Sequence, residues 1–408
     1  MAPSHGRRFD LVLVGATGFV GRLTAQHLAR YAPRDLRVAL AGRSRERLTA
    51  LQSELGGTAG SWPLLVVDVT DEAAAADLAA STRVVVTTVG PYLRYGMALV
   101  SACADAGTAY ADLTGETLFV RRTVDALHER AVASGARIVH ACGFDSVPSD
   151  LGVGLTAIRA EADSAGTLTD TVLHVRSARG GISGGTIDSL RQQLVETSGD
   201  SQARALVGRA DALVDRPSGT RTRAPGRVRP VERDSSGGWQ APFVMGVFNR
   251  QIVLRSDALA GRRYGIGFRY REVVDTGSGP RGVLGATALS LGTVAFVAAM
   301  GFGPARALLD RVLPDPGSGP SETALARGRF RVEVVAGTSS GARYQTVVGA
   351  DLDPGYYGTA VMLGESGLSL ALDDLPTRGG VLTPMTAMGD ALAARLRAHE
   401  FTVSTDRI

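Results

Sequence analysis

Gly15, Gly18 and Gly21 stand three apart in the stretch "LVLVGATGFVGRLTAQHL", residues 11–28. Glycines at this spacing permit a tight turn and let the main chain approach a ligand closely. A helix starting at such a turn offers free N–H groups and a partial positive charge, which suit a pyrophosphate. Gly15, Thr17, Gly18, Phe19, Val20 and Gly21 are therefore candidate contacts of a dinucleotide. The elements needed to position them are written on either side. Leu11 to Val14 are apolar on both faces, as in a strand buried within a parallel sheet. Val20, Leu23, Leu28 and Tyr31 fall at helical spacing. Strand, glycine turn and helix together form the context a dinucleotide site requires. A turn whose glycines serve packing alone is the alternative.

The second strand bears on which dinucleotide. "LRVALAGRSRERL" (36–48) reads as a strand over 36–41 followed by a helix. An NAD site places Asp or Glu at the end of this strand to bind the ribose 2′-OH. Arg43 stands there instead, with Ser44 beside it, and a guanidinium suits a 2′-phosphate. The expected cofactor is therefore NADP; the alternative is that these arginines, Arg45 above all, are solvated helix charges. "LLVVDV" (64–69) reads as the third strand, with Asp68 placed to meet the adenine. "RVVVTTVGPY" (83–92) reads as the fourth, with Val89, Gly90 and Pro91 on the nicotinamide side.

The chain has 408 residues, enough for two domains and a sizeable core. Hydrophobic residues make up 44% and charged residues 21%, the proportions of a globular protein rather than a disordered one. Two cysteines, Cys103 and Cys142, make no disulfide framework and point to a reducing compartment. The six histidines, at 5, 27, 128, 140, 174 and 399, show no ligand spacing, so no metal is expected. All 44 basic residues are arginine. Without lysine, Schiff-base, P-loop and Tyr-x-x-x-Lys chemistry are excluded. The net charge of +4 is modest and no basic stripe with interleaved aromatics occurs, which argues against nucleic acid. "GRRFDLVLVGATG" superficially resembles a twin-arginine signal, but its apolar part is short and Arg22 soon interrupts it. The expected location is cytoplasmic.

Strand and helix alternate over the first 143 residues, with strands near 9–14, 36–41, 64–68, 83–88, 108–112 and 137–141. The expected fold class is α/β: a doubly wound parallel sheet of Rossmann type over 1–145 and a second α+β domain for substrate or dimerisation over 146–380. Residues 167–181 read as strand and 185–200 as helix. Residues 203–233 hold eight arginines with Pro and Gly and read as a long loop or lid. Residues 251–275 and 328–350 read as β-rich. The segment 381–408 reads as an amphipathic helix returning to the first domain.

Residues 282–305, "GVLGATALSLGTVAFVAAMGFGPA", carry no charge and are long enough to span a bilayer. Arg281 and Arg306 flank them. Five glycines and several small polar residues temper the hydrophobicity. Three readings are open: a single span, a helix resting on the inner face of the plasma membrane, or a helix buried in the protein or a homodimer interface.

Several blocks occur together: "GATGFVG" (15–21), "VGPYLRYG" (89–96), "YADLTGE" (110–116), "HACGFDSVPSDLG" (140–152), "RGGISGGT" (179–186) and "GGVLTPMTAMGDALAARL" (379–396). The combination resembles the saccharopine-dehydrogenase-like oxidoreductases and, within them, the actinobacterial trans-acting enoyl reductases, over nearly the whole chain. The GxxGxxG spacing is also similar to that of extended short-chain dehydrogenases. The resemblance implies reduction of a double bond in a polyketide-derived lipid precursor, with a polyketide synthase or carrier protein as partner. Enoyl reduction needs a hydride at the β-carbon, a stabilised enolate oxygen and a proton at the α-carbon. Without lysine, the proton donors to consider are Tyr92 and Tyr95, just after the fourth strand, and then Asp145. Asp112 and Glu116 end the fifth strand, on the edge where open α/β sheets bind ligands. Asp145 and Asp150 also suit helix capping. Ser183, Gly184 and Thr186 suit a substrate carbonyl or thioester oxygen, or a plain helix cap. A saccharopine-type amino-acid dehydrogenase and a non-catalytic NADP-binding sensor or scaffold are the alternatives.

Overall fold

The computed structural model describes residues 6–180, 191, 193–197, 199–215, 229–234, 237–301, 325 and 327–408. The first part alternates strand and helix as expected: β1 (Phe9–Val14), α1 (Phe19–Tyr31), β2 (Val38–Gly42), α2 (Arg45–Leu55), β3 (Leu64–Val66), α3 (Glu72–Ser81) and β4 (Thr82–Thr87). Then come α4 (Tyr92–Tyr95), α5 (Met97–Ala106), β5 (Ala109–Ala111), α6 (Thr117–Ser134), β6 (Arg137–Val139) and α7 (Val147–Ala162). Every residue of β1 is buried, which explains why that strand is apolar on both faces. Packing at this level stabilises by about 1.5–3 kcal/mol for each large apolar side chain.

The rest of the chain supplies β7 (Leu168–Arg179), α8 (Ser201–Gly208), β8 (Glu232–Arg233), β9 (Gly238–Pro242), α9 (Gly246–Leu259), β10 (Arg269–Ser278) and α10 (Gly279–Gly301). It ends with β11 (Arg329–Thr338), β12 (Arg343–Ala350), α11 (Thr359–Leu372), β13 (Gly380–Leu382), α12 (Pro384–Ala387), α13 (Gly389–Ala398) and β14 (Thr402–Arg407).

Two seven-stranded sheets result. The first runs β13-β6-β5-β4-β1-β2-β3 with every pair parallel. From β1 the chain winds outward to β3, then returns to β4 on the other side. The crevice between β1 and β4 is thus the topological switch point, the place where such sheets bind ligands. The second sheet runs β14-β12-β11-β7-β10-β9-β8 and is antiparallel except for β10 with β7. α7 leaves the first sheet and packs on β11 and β12 of the second.

Several stretches differ from the sequence reading. Residues 251–259 belong to the helix α9; only the later part of 251–275 is strand, in β10. Short apolar runs do not separate a buried helix from a strand by periodicity alone. The C-terminal segment contains two short helices and two strands. β13 extends the first sheet beside β6, and β14 forms an edge of the second beside β12. α11 packs on α1 and β4, so residues 359–372 cover the first sheet.

The uncharged stretch forms α10 through residue 301; residues 302–305 lie outside the described residues. Among the described residues it is the helix long and apolar enough to cross a membrane. Gly282, Ala286, Ser290 and Met300 face inward. Leu284, Leu291 and Val294 are 69%, 65% and 67% exposed. The strands on either side, β10 and β11, both pair with β7. A single crossing would put them on opposite sides of a bilayer, so that reading is excluded.

Candidate active site

The glycine turn sits at the carboxyl end of β1, on the switch-point crevice. Each glycine answers a different demand. Gly15 has φ +78°, and a Cβ there would meet Thr88 Oγ1 at 2.7 Å. A Cβ on Gly21 would lie 2.1 Å from Gly15 O, so α1 can pack against the turn only without one. Gly18 is different: its φ of −74° suits any residue, and a Cβ would meet only Gly15 O, at 3.4 Å. The protein's own packing does not require glycine at 18. The space it leaves is the kind a pyrophosphate fills. No side chain caps α1, so the first-turn N–H groups face that space. The residues present fit a dinucleotide.

Arg43 is exposed at the end of β2, and Asp68 is exposed after β3, close enough to feel its charge. The N–H and hydroxyl of Thr70 bond Asp68 Oδ1 at 3.0 and 2.7 Å. Those bonds, with the Arg43 charge, hold the Asp68 carboxyl below its ordinary range. Ser44 caps α2 by accepting from the Arg47 N–H at 3.3 Å. Arg47 donates to Thr17 O at 3.1 Å, so it braces the turn.

Across the crevice, Thr88 donates to Gly15 O at 3.1 Å and ties the end of β4 to the turn. Val89 and Pro91 are half-buried and Gly90 is exposed. The peptide bond Gly90–Pro91 is cis. Tyr92 does not fit the role of proton donor. Its hydroxyl is buried, donates to Thr87 O at 3.2 Å and accepts from the Leu113 N–H at 3.2 Å. Burial, with the Asp112 charge adding, pushes that hydroxyl well above the ordinary phenol range. Tyr95 is half-buried, with the Arg94 guanidinium 5.0 Å from its ring centre.

The acids of "YADLTGE" turn inward. Asp112 Oδ2 holds His140 Nδ1 at 2.8 Å, and His140 Nε2 meets Thr123 Oγ1 at 2.9 Å; Asp112 and His140 are fully buried. Glu116 accepts the N–H groups of Tyr92 and Leu93 at 2.9 and 2.7 Å, which fixes the loop after β4. Asp150 caps, but not its own helix. It accepts from Ser256 and from the Met385 N–H (2.8 Å), binding α7 to α9 and to the start of α12. Burial raises the Asp150 carboxyl to about 6.

Asp145 stands apart from these. It follows β6 on the edge of the sheet where the loop after β4 also lies, and β6 and β4 are two strands, about 10 Å, apart. It is half-buried and has no hydrogen-bond partner among the described residues. Burial pushes its carboxyl up to about 6. A buried network begins at the next residue. Ser146 donates to Asn249 Oδ1 at 2.9 Å, Asn249 donates to Glu272 Oε2 at 2.9 Å, and Tyr270 donates to Glu272 Oε1 at 2.7 Å. Burial pushes the Glu272 carboxyl up to about 7, and the Asp145 carboxylate adds to the rise. Arg250 feels the Glu272 charge and is half-buried, and its guanidinium has no hydrogen-bond partner among the described residues. Arg250 and Glu272 were not singled out from sequence. Tyr270 and Glu272 share one face of β10, but that spacing alone does not mark Glu272 as part of a site. Ser183, Gly184 and Thr186 lie outside the described residues.

Residues 11–139 match the family model of the saccharopine dehydrogenase NADP binding domain. The first sheet is therefore an NAD(P)-binding domain. A Mycobacterium tuberculosis protein, provisionally named a trans-acting enoyl reductase, is 47% identical over 98% of each chain. The trans-acting enoyl reductase of Mycobacterium ulcerans is 44% identical over 99% of each chain. Among solved structures, the apo saccharopine dehydrogenase (L-Glu forming) of Saccharomyces cerevisiae is similar with a TM-score of 0.55, covering 98% of this chain and all (100%) of that one. Its 14% identity carries the fold alone.

Proposed function

The chain belongs to the family of the trans-acting enoyl reductases, and from that premise we propose that it reduces a carbon–carbon double bond in a polyketide-derived or other acyl-lipid precursor, using NADPH. One juxtaposition carries this reading. A dinucleotide turn and a carboxyl without a hydrogen-bond partner among the described residues, Asp145, open on the same edge of one parallel sheet.

NADPH, when bound, supplies the hydride that goes to the β-carbon. The protein's part is to bind, orient and stabilise charge. The glycine turn and the α1 N-terminus hold the pyrophosphate, and Arg43 pairs with the 2′-phosphate. The loop Val89–Pro91, fixed through Glu116, lies beside the nicotinamide. Arg250 faces the substrate oxygen on which enolate charge develops; a half-buried guanidinium stabilises such charge more than an exposed one. Asp145 holds the proton destined for the α-carbon. A carboxyl near 6 keeps a protonated fraction at neutral pH. Tyr95, beside the same loop, is placed to orient the substrate carbonyl.

The substrate would arrive on a synthase or carrier protein. We place α10 on a lipid surface, with its exposed Leu284, Leu291 and Val294 in the acyl region. A poorly soluble acyl chain could then reach the second sheet with little contact with water. The test of function is reconstitution with a synthase that lacks its own enoyl reduction. Adding the protein and NADPH should convert an unsaturated product to the saturated one; an unchanged product spectrum would reject the reading.

A further inference from the structure

Three titratable groups with no part in the reaction meet roughly 12 Å along α1 from the glycine turn. His27 lies in α1, Glu365 in α11, and His399 directly after α13. His27 Nε2 is 2.6 Å from Glu365 Oε1, and His399 Nε2 is 2.9 Å from the same oxygen. The three donor atoms lie within 4.8 Å of one another. Glu365 and His27 are buried, and the His399 side chain is 16% exposed.

The surroundings build this cluster. A Cβ on Gly364 would come 2.8 Å from His27 Cδ2, so α11 can approach the imidazole only because that residue is glycine. The Tyr31 ring flanks both imidazoles, with centroids 4.9 Å and 4.4 Å away. Arg395 donates to Glu365 Oε2 at 3.2 Å, while its charge is paired bidentately with Asp373, both contacts at 2.7 Å. One carboxylate oxygen is thereby fixed, and the other is left to the two imidazoles.

We propose that His27, Glu365 and His399 are the ligands of a divalent transition-metal ion of the zinc class. Two imidazoles and one carboxylate are the donor set that zinc accepts, and cobalt(II) substitutes for it. Tetrahedral donors about 2.0–2.1 Å from an ion stand about 3.3 Å apart, so each imidazole must part from the carboxylate by only about 0.4–0.7 Å. To ligate, each neutral imidazole carries its one proton on Nδ1 and turns the Nε2 lone pair to the ion. The partly exposed His399 side leaves a fourth position for water. His399 lies three residues before β14, the edge strand of the second sheet. The ion therefore clamps the first helix of the dinucleotide domain to the entry of that strand.

The test is metal content and metal response in the full-length, untagged protein. Purified from zinc-supplemented cells, the wild type should retain about one zinc per chain, and His27→Gln and His399→Ala should lose it. Cobalt(II) added to chelator-stripped wild type should give the visible absorption of a four-coordinate site. Zinc should raise the thermal midpoint of the wild type by mass action and leave that of His399→Ala unmoved. His399 is the most exposed of the three, so its variant keeps the test open if His27→Gln does not fold. Wild type without retained zinc and without the cobalt spectrum would overturn the site, as would an equal zinc response in His399→Ala.

Discussion

Asn249 donates its side-chain N–H to Glu272 Oε2 at 2.9 Å, and both residues are buried where the two sheets meet. Because Ser146 bonds the other end of Asn249, the carboxyl of Glu272 is joined to the loop that carries Asp145.

That placement predicts a pH-dependent stability. Burial raises Glu272 from about 4.5 when unfolded to about 7 when folded. The folded state then favours the protonated carboxyl. Its contribution is complete below the unfolded value and is lost as pH rises through the folded one. Glu272→Gln keeps a neutral group in place. Between about pH 5 and about pH 8 the wild type should lose more stability than the variant. Urea unfolding of both proteins across that range checks this; parallel pH curves would contradict it.

Asp145→Asn should lower kcat by about 10²–10⁴-fold, the range for loss of a positioned proton donor, with NADPH affinity unchanged. For the wild type, kcat should fall above the folded pKa of about 6, because the protonated form is the donor. That limb should vanish in the variant. Tyr92→Phe should leave the limb in place and act through stability, since its hydroxyl bonds only backbone. A kcat that does not depend on Asp145 would move the proton source elsewhere.

Arg43→Ala should weaken NADPH binding by about 1–3 kcal/mol, the scale for a charged partner removed. NADH binding should hardly change. Calorimetric titration of both cofactors decides this. Equal loss for the two would make Arg43 a general surface charge.

The exposed face of α10 should bind bilayers reversibly. Full burial of one leucine is worth about 1.5–3 kcal/mol. Leu291→Asp should therefore reduce co-flotation with anionic liposomes strongly while leaving the thermal midpoint unchanged, because Leu291 is 65% exposed. Wild type that stays at the bottom of the gradient would refute the contact.

The first sheet was legible because its signals are local. A buried parallel strand, a glycine turn and a helix occupy contiguous residues, and Gly18 shows its meaning by what does not surround it. Arg43 and the loop Val89–Pro91 stand at strand ends for the same reason. The second sheet was less legible. α9 and β10 both carry buried residues at short range, and β10 alternates only over its first four residues. Side-chain direction was least legible of all. Asp112 and Glu116 sit at the expected strand end, yet backbone N–H groups and His140 draw their carboxylates inward. His27, Glu365 and His399 have no ligand spacing along the chain, because three separate elements bring them together. Arg250 and Glu272 depend on how a helix and a strand of the second sheet meet the first, which spacing does not encode.

The function proposed for this fold is delivery of a hydride to an enoyl β-carbon. The most direct measurement is label transfer from NADPH deuterated at its transferable position to an α,β-unsaturated thioester, with the product analysed by mass spectrometry. The expected product is a saturated thioester with a single deuterium at the β-carbon and a solvent-derived proton at the α-carbon. Deuterium at the carbonyl carbon, or NADPH binding with no labelled product, would contradict it.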